Sequence, residues 1–302
     1  MTSSTLYVVA TPIGNLEDMT FRAVKVLGEV DLIAAEDTRT SRILLQKYNI
    51  KTPMFSCHRF NEEKRGGFFV EKLLEGKSIA LVSDAGTPCI SDPGHRLVSL
   101  ARKNGITVTS VCGASSVMAA LSVSGFDAPK FTFLGFLPRA GAGVDVLSDC
   151  ATRGGVFVFF ESPKRIKKSL AKLNELSNDA KICLCNDLSK MFEKVYWGKI
   201  GDVLKELEEN PDAEKGEYTC VLEAKPQRME NNDGLTLEAM ILDVMIKKGI
   251  SVKEAAQEVK QANKLVRKNQ LFDAVLNLKA MGIDTSGKYA SKRPGGRFTP
   301  PC

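Results

Sequence analysis

Two histidines, His58 and His95, and one tryptophan are all that the 302 residues carry of those types. So little imidazole works against a histidine-built metal centre, and no metal is expected. The eight cysteines (Cys57, Cys89, Cys112, Cys150, Cys183, Cys185, Cys220 and Cys302) form no Cys-x-x-Cys pair. Most stand in apolar context, as small hydrophobes do in a reducing cytoplasm, and not as a disulfide framework would. Apolar runs such as residues 155–160 fall far short of the ~20 needed to span a bilayer, so no membrane partner is expected. Residues 1–5 lead through a short apolar stretch straight into Thr11-Pro12-Ile13-Gly14-Asn15, unlike a secretory leader. There is no Gly-x-Gly-x-x-Gly fingerprint and no Gly-x-Ser-x-Gly elbow. Gly76-Lys77-Ser78 resembles the end of a P-loop, but Glu71 stands where the first glycine belongs, and a strand follows instead of a helix.

What is present is an ordinary globular composition, 43% hydrophobic and 26% charged, with a net charge of +6. The length suits two domains. The charge is uneven. Residues 1–125 carry 14 Lys+Arg against 12 Asp+Glu, residues 126–230 carry 16 against 17, and residues 231–302 carry 12 against 7. The excess therefore sits in the last quarter. Such a basic appendage suits a polyanionic partner or simply a solvated tail.

Short β-rich runs alternate with stretches of helical period. Strands are expected over 6–10, 31–35, 78–83, 106–111, 156–160, 181–185, 195–199 and 218–223. Helices are expected over 18–27, 41–48, 62–75, 94–103, 115–123, 163–176 and 200–209. Several strands are apolar on both faces, as in helix-covered sheets, which argues an α/β architecture. Breaks near 124–130 and at 226–234 divide the chain into an N-terminal α/β domain (1–125), a second α/β domain (126–230) and a helical basic tail domain (231–282). In the tail, Ser251-x-x-Glu254 has the form of a capping box and Gly282 is placed to end the third helix. Residues 283–302 have little to bury and are expected to be disordered.

Chemistry-bearing residues cluster where strands end. Thr11-Pro12-Ile13-Gly14-Asn15-Leu16 follows the first strand, and fits either a ligand-approach loop or a plain βα turn. Ser83-Asp84-Ala85-Gly86-Thr87-Pro88-Cys89-Ile90-Ser91-Asp92-Pro93-Gly94 packs two Asp, two Gly and two Pro after a buried strand, more special residues than one turn needs. Cys112-Gly113-Ala114-Ser115-Ser116 brings small side chains to a helix start, where Ser115 can also cap. Glu36-Asp37-Thr38-Arg39 and the 56–65 segment (His58, Arg59, Asn61, Glu62) add acids, bases, an amide and an imidazole, though 62–65 also reads as a solvated first turn. Lys264, Arg267 and Lys268 join the last two helices and could meet phosphates as a helix–turn–helix does, or form a solvated face.

Taken together and in order, Thr-Pro-Ile-Gly-Asn-Leu, Ala-Ala-Glu-Asp-Thr-Arg, Ser-Asp-Ala-Gly-Thr-Pro-Cys-Ile-Ser-Asp-Pro-Gly and Phe-Phe-Glu-Ser-Pro-Lys-Arg closely resemble the bacterial ribosomal RNA small subunit methyltransferase I family of the tetrapyrrole-methylase superfamily. The resemblance spans residues 5–225, and more loosely the tail helices to 282. It implies a two-domain tetrapyrrole-methylase-like fold with a small C-terminal helical domain. It also implies S-adenosylmethionine in the interdomain cleft, a homodimer, and 2′-O-methylation of a cytidine in the decoding region of small-subunit rRNA. The cofactor positions carried across are Ile13, Ala85, Gly86, Thr87, Ile90, Ser115, Ser116, Glu161 and Leu188. For a ribose hydroxyl attacking a sulfonium methyl, the candidate proton acceptors are Asp37, His58, Glu62 and Asp84, with a distributed network or water as the alternative. Arg39, Arg59 and Asn61 are expected to hold RNA, with Lys264, Arg267 and Lys268 assisting from the tail.

Three segments depart from the family pattern. Cys112-Gly113-Ala114-Ser115-Ser116 stands for Pro-Gly-Pro-Ser-Ala, without the stiff prolines. Asn186-Asp187-Leu188-Ser189-Lys190 stands for Arg-Glu-Leu-Thr-Lys, without the fixed cation. Arg139-Ala140-Gly141-Ala142-Gly143 replaces a basic loop. The rival readings are a tetrapyrrole C-methyltransferase, for which the Gly-rich first loop is missing, and a non-enzymatic rRNA-binding module.

Overall fold

A strand apolar on both faces must be covered twice, and right-handed crossovers supply the cover. In the computed structural model, which describes residues 4–139, 141–225, 236–262, 266 and 268–283, the first half of the chain does this with five strands. They are β1 (Thr5–Val9), β2 (Leu32–Ala35), β3 (Met54–Ser56), β4 (Ile79–Val82) and β5 (Thr107–Val111), all parallel, in the order β3-β2-β4-β1-β5. Helices α1 (Phe21–Glu29) and α2 (Thr38–Lys47) pack on one face, and α3 (Glu62–Leu74) and α4 (His95–Lys103) on the other. The central strand shows the alternation directly. Ala80 and Val82 join the core with Ala23, Leu27, Leu44 and Leu45, whereas Ile79 and Leu81 join Phe69, Leu73, Leu97 and Ala101.

Two helices begin later or earlier than their periodicity suggests, and each is set by a cap. Thr20 accepts from the Ala23 N–H and starts α1 at Phe21, leaving residues 16–18 as a 3₁₀ turn capped by Asn15. Asp37 accepts from the Arg39 N–H and starts α2 at Thr38.

Helix α5 (Ser116–Ser124) follows β5 in sequence but packs on the second sheet. Its Val117 and Ala120 share a core with Val156, Val158, Cys183, Cys185 and Val221. That sheet contains β6 (Phe131–Phe136), β7 (Gly155–Glu161), β8 (Lys181–Asn186), β9 (Lys194–Lys199) and β10 (Tyr218–Ala224), ordered β6-β7-β10-β8-β9. Only β6 and β7 run parallel. Helices α6 (Gly141–Arg153), α7 (Pro163–Leu176) and α8 (Ile200–Glu209) cover its other face.

Three elements are absent from the sequence reading. β3 is a three-residue strand at the sheet edge, too short to show a period. β6 is broken by Gly135 at φ 65° and a register shift between Phe133 and Phe136. α6 opens on glycines that read as a loop, yet Leu147, Cys150 and Ala151 bury one face of it.

The tail forms three helices, α9 (Leu237–Lys248), α10 (Val252–Ala262) and α11 (Lys268–Ala280), around a core that includes Ile241, Met245, Val252, Val259, Leu271 and Leu278. The capping box is formed: Glu254 Oε2 accepts from the Ser251 N–H at 2.9 Å, and Ser251 Oγ accepts from the Glu254 N–H at 3.3 Å. Gly282, at φ 77°, follows the end of α11. The 226–234 break, Lys264, Arg267 and the 284–302 tail lie outside the described residues, and Lys268 is placed only as the first residue of α11.

The two α/β lobes meet where Gly14 passes the loop between β8 and β9. A Cβ on Gly14 would stand 2.6 Å from Lys190 Cγ and 2.7 Å from the Leu188 carbonyl oxygen. Asp18 and Ser189 hydrogen-bond across the same junction, and the Trp197 indole N–H donates to the Ser124 carbonyl at 2.7 Å. Gly14→Ala must push the two loops apart, and is expected to lower unfolding free energy by ~1–3 kcal/mol. Urea denaturation checks this, and unchanged stability would show that the junction yields freely.

Candidate active site

Loops leaving β1 and β4 depart to opposite faces of the first sheet, which opens a crevice beyond the strand ends. Thr11 closes its base. The Thr11 N–H donates to the Gly86 carbonyl at 2.9 Å, and the Gly86 N–H donates back at 3.0 Å. Gly86 holds φ 74°, and a Cβ there would lie 3.3 Å from Ile13 Cγ2. Thr87 Oγ1 donates to the Ala114 carbonyl at 3.1 Å, tying in the loop after β5. Gly113 passes close to Ala10, where an added Cβ would sit 3.0 Å from the Ala10 Cβ. These contacts fix the 112–114 segment without prolines.

The second lobe supplies the opposite wall from the end of β7, the 188 loop and the start of β10. Because β10 runs antiparallel to both neighbours, Tyr218 stands opposite Glu161 and Asn186. The resulting cavity is about 320 Å³, in the range of small-molecule sites (~300–1,000 Å³). Ile13, Ala85, Gly86, Thr87, Ile90, Ser115, Ser116, Glu161 and Leu188, drawn from both lobes, all line it. Asp92, Phe136, Phe160, Glu217, Tyr218 and Thr219 line it as well. Asp92 and Phe160 belong to motifs that the sequence shows, but Phe136 depends on β6, and Glu217, Tyr218 and Thr219 on the register of β10, for which the sequence carries no local signal.

Glu161 reaches the cavity with its carboxylate already engaged. Oε1 accepts from Arg165 Nε and from the Ser162 N–H, both at 2.7 Å, and Oε2 accepts from Ser169 Oγ at 2.7 Å. Arg165 also donates to the Leu137 carbonyl at 2.8 Å. The side chain is 1% exposed and ties β7 to α7. In the departing 186–190 segment, Asn186 Nδ2 donates to the Lys215 carbonyl. Lys190, at the Lys of the family pattern, is paired to Asp187 at 2.7 Å and to Glu217 at 3.0 Å.

Beside the cavity is a group of carboxylates. Asp84 Oδ1 accepts from the Asp37 N–H at 3.1 Å, and Glu36 Oε2 accepts from the Asp84 N–H at 3.4 Å. Partial burial, and then repulsion among the carboxylates themselves, raises the pKa of Glu36, Asp84 and Asp92 above the ordinary range. Asp37 goes the other way. Its hydrogen bonds from the Arg39 guanidinium and backbone hold it down to about 2. Glu36 and Asp92 are therefore part of a group in which the sequence reading singles out only Asp37 and Asp84.

The loop after β3 is arranged by Asn61, whose Oδ1 accepts from the His58 N–H at 2.8 Å and whose Nδ2 donates to Ser56 Oγ. His58 Nδ1 accepts from the Phe60 N–H at 3.2 Å. Arg59 is exposed, as is Phe60 beside it. Glu62 points the other way. It is buried, and its Oε1 accepts the N–H groups of Gly94, Arg96 and Leu97, capping α4.

Residues 5–204 match the family described as Tetrapyrrole (Corrin/Porphyrin) Methylases. A Haemophilus influenzae protein named ribosomal RNA small subunit methyltransferase I is 42% identical over 253 residues, 83% of this chain and 89% of that protein. A Pseudomonas aeruginosa protein of the same name is 39% identical over 279 residues, 91% and 98% of the two chains. The chain belongs to the ribosomal RNA small subunit methyltransferase I family. Two solved structures share the fold. They are diphthine synthase (TM-score 0.59, 15% identity, 73% of this chain and 90% of that one) and cobalt precorrin-4 methyltransferase (TM-score 0.56, 19% identity, 74% and 95%).

The methyl donor of the family is S-adenosylmethionine, and the cavity's chemistry suits it. Ala85, Gly86, Ser115 and Ser116 keep the main chain accessible. Helices α5 and α7 begin at the wall, so their positive ends favour an anionic group there. Ile90 and Phe136 stand open on the walls, apolar surface that a bound purine would cover.

Glu62 holds three otherwise unpaired N–H groups, so Glu62→Ala is expected to cost ~1–3 kcal/mol of folding stability. Chemical denaturation measures this. Wild-type stability in the variant would remove the capping role.

Proposed function

We propose that this chain methylates small-subunit rRNA, transferring a methyl group from S-adenosylmethionine to the ribose 2′-hydroxyl of a cytidine in the decoding region. The supporting observation is a cavity lined from both lobes by all nine carried-over cofactor positions, with Asp92 on its lining. The rRNA substrate follows from relatives at about 40% identity over most of their length. The cytidine and its location follow from the family resemblance.

The donor brings an already activated sulfonium methyl, and leaves as S-adenosylhomocysteine. The protein's tasks are to align the hydroxyl oxygen with that methyl and to take one proton. As the new O–C bond forms and the S–C bond breaks, the hydroxyl proton passes to Asp84 and then to solvent. Of Asp37, Glu62 and Asp84, Asp84 suits this best. Asp37 is neutralised by Arg39 and accepts protons poorly, and Glu62 is committed to α4. Arg39, in the first turn of α2 after β2, and Arg59 and Asn61, between β3 and α3, follow the two strands at the β3 edge of the sheet, where an RNA strand would approach. The homodimer draws support from the exposed Met191, Phe192, Val195 and Trp197 on and before the edge strand β9.

Mass spectrometry of rRNA nucleosides from cells with and without the protein is the direct test. The 2′-O-methylcytidine signal should fall on deletion, and an unchanged nucleoside profile would overturn the reading. Asp84→Asn keeps the acceptor for the Asp37 N–H but gives up the base. Single-turnover methylation should slow by at least ~10²-fold. The wild-type rate should rise with pH through an ionisation above the ordinary aspartate range, and that limb should vanish in the variant. Near-normal turnover would free Asp84 of the role.

A further inference from the structure

Helices α10 and α11 spend one face each on the tail core, Val252, Ala255 and Val259 from the first, Leu271, Ala274 and Leu278 from the second. Their adjoining outer faces form a groove of about 570 Å³. Lys253, Gln257 and Lys260 line it from α10 at helical spacing, and Phe272, Val275 and Lys279 from α11. Phe272 is 64% exposed. Among the described residues, no Asp or Glu lines the groove. Among the described residues, its three lysines make no ion pair, whereas Lys247 and Lys248, outside it, are paired with Asp243 and Glu258. Cations around an open aromatic ring on an apolar floor of Val252, Ala256, Leu271 and Val275 suit a polyanion with flat faces.

We propose that this groove binds an unpaired stretch of RNA, with a base stacked on Phe272 and the neighbouring phosphates on Lys253, Lys260 and Lys279. Single-stranded nucleic acid is held by this combination, since every base offers a π face and every linkage a charge. Lys253 and Lys260 stand two turns apart, ~10 Å along α10, so they engage different linkages of the same strand. The proposal rests on the rRNA-methylation reading, and gives the tail a defined surface within it. It uses residues other than the 264–268 connection.

The test uses the full chain, fluorescence anisotropy, and two labelled probes, an unstructured oligoribonucleotide of ~12 nucleotides and an RNA duplex of the same length. Phe272→Ala should weaken single-strand binding by about tenfold and duplex binding less, with Phe272→Tyr restoring it. The triple variant Lys253→Gln, Lys260→Gln, Lys279→Gln should reduce the slope of log affinity against log salt by about 2. S-adenosylmethionine affinity by calorimetry should stay at the wild-type value in every variant. Wild-type RNA affinity and salt slope in these variants would overturn the groove, while rRNA methylation by the unaltered chain would leave the functional reading standing. Absence of that methylation would defeat the functional reading instead. Weakened binding to 30S subunits with unchanged oligonucleotide binding would mean that a ribosomal protein occupies the groove, and would also overturn the proposal.

Discussion

The reciprocal hydrogen bonds between Thr11 and Gly86 hold together two loops that the sheet topology would otherwise send apart. The chain after β1 turns toward α1 on one face, and the chain after β4 turns toward α4 on the other. Pairing their main chains just beyond the strand ends keeps Ile13 beside Ala85–Thr87, and the Thr87–Ala114 bond extends the same constraint to a third loop. Gly14 then lets the second lobe close against the first. A cavity whose walls are set before a ligand arrives saves the cost of ordering them on binding. This explains why the missing prolines at 112–114 do no visible damage: side-chain and backbone contacts supply the rigidity that proline rings would otherwise give.

The pairing of β2 with β4 sets the electrostatics beside it. With the Asp37 N–H donating to Asp84, it brings Glu36, Asp84 and Asp92 near one another in partly desolvated positions. Their raised pKa values mean that these groups favour the folded state most when protonated. The benefit is lost as pH rises through those raised values, so at neutral pH the ionised cluster works against stability. Natural sites accept such costs where chemistry needs a proton acceptor. Arg39 limits the cost by neutralising Asp37, which leaves Asp84 with the higher proton affinity of the two.

The sequence made the architecture readable wherever pattern and chemistry coincided. Ile79-Ala80-Leu81-Val82 reads as a doubly covered strand, and Ser251-x-x-Glu254 as the opening of a helix. Phe131–Phe136 hid because a glycine with positive φ and a register shift interrupt its alternation. Gly141–Arg153 hid because its first turn reads as a flexible loop. At the site, the loop residues were legible because small and turn-forming types crowd there beyond structural need. Tyr218 and Thr219 were not, since their place depends on β10 inserting antiparallel between β7 and β8. Glu62 shows the opposite limit. Its position in a polar cluster suggested chemistry, yet its oxygen faces the start of a helix thirty-odd residues away, which no local pattern reveals.

Strand order converts these pieces into a layout. Reading across β3-β2-β4-β1-β5, the cavity lies over β4, β1 and β5, the carboxylates over β2 and β4, and the His58–Asn61 turn over β3. Adjacent strands are ~4.8 Å apart, so the loop after β3 lies roughly 10 Å from the one after β4. On the function proposed above, that spacing would let one strand of RNA reach Arg59 and Arg39 and present a ribose to Asp84. On the same reading, the donor would occupy the interlobe cavity and the acceptor would approach from the β3 side. A small tetrapyrrole would have no use for cationic loops set beyond the carboxylates, whereas a polyanion does, and so the arrangement of the first sheet itself favours a nucleic-acid acceptor.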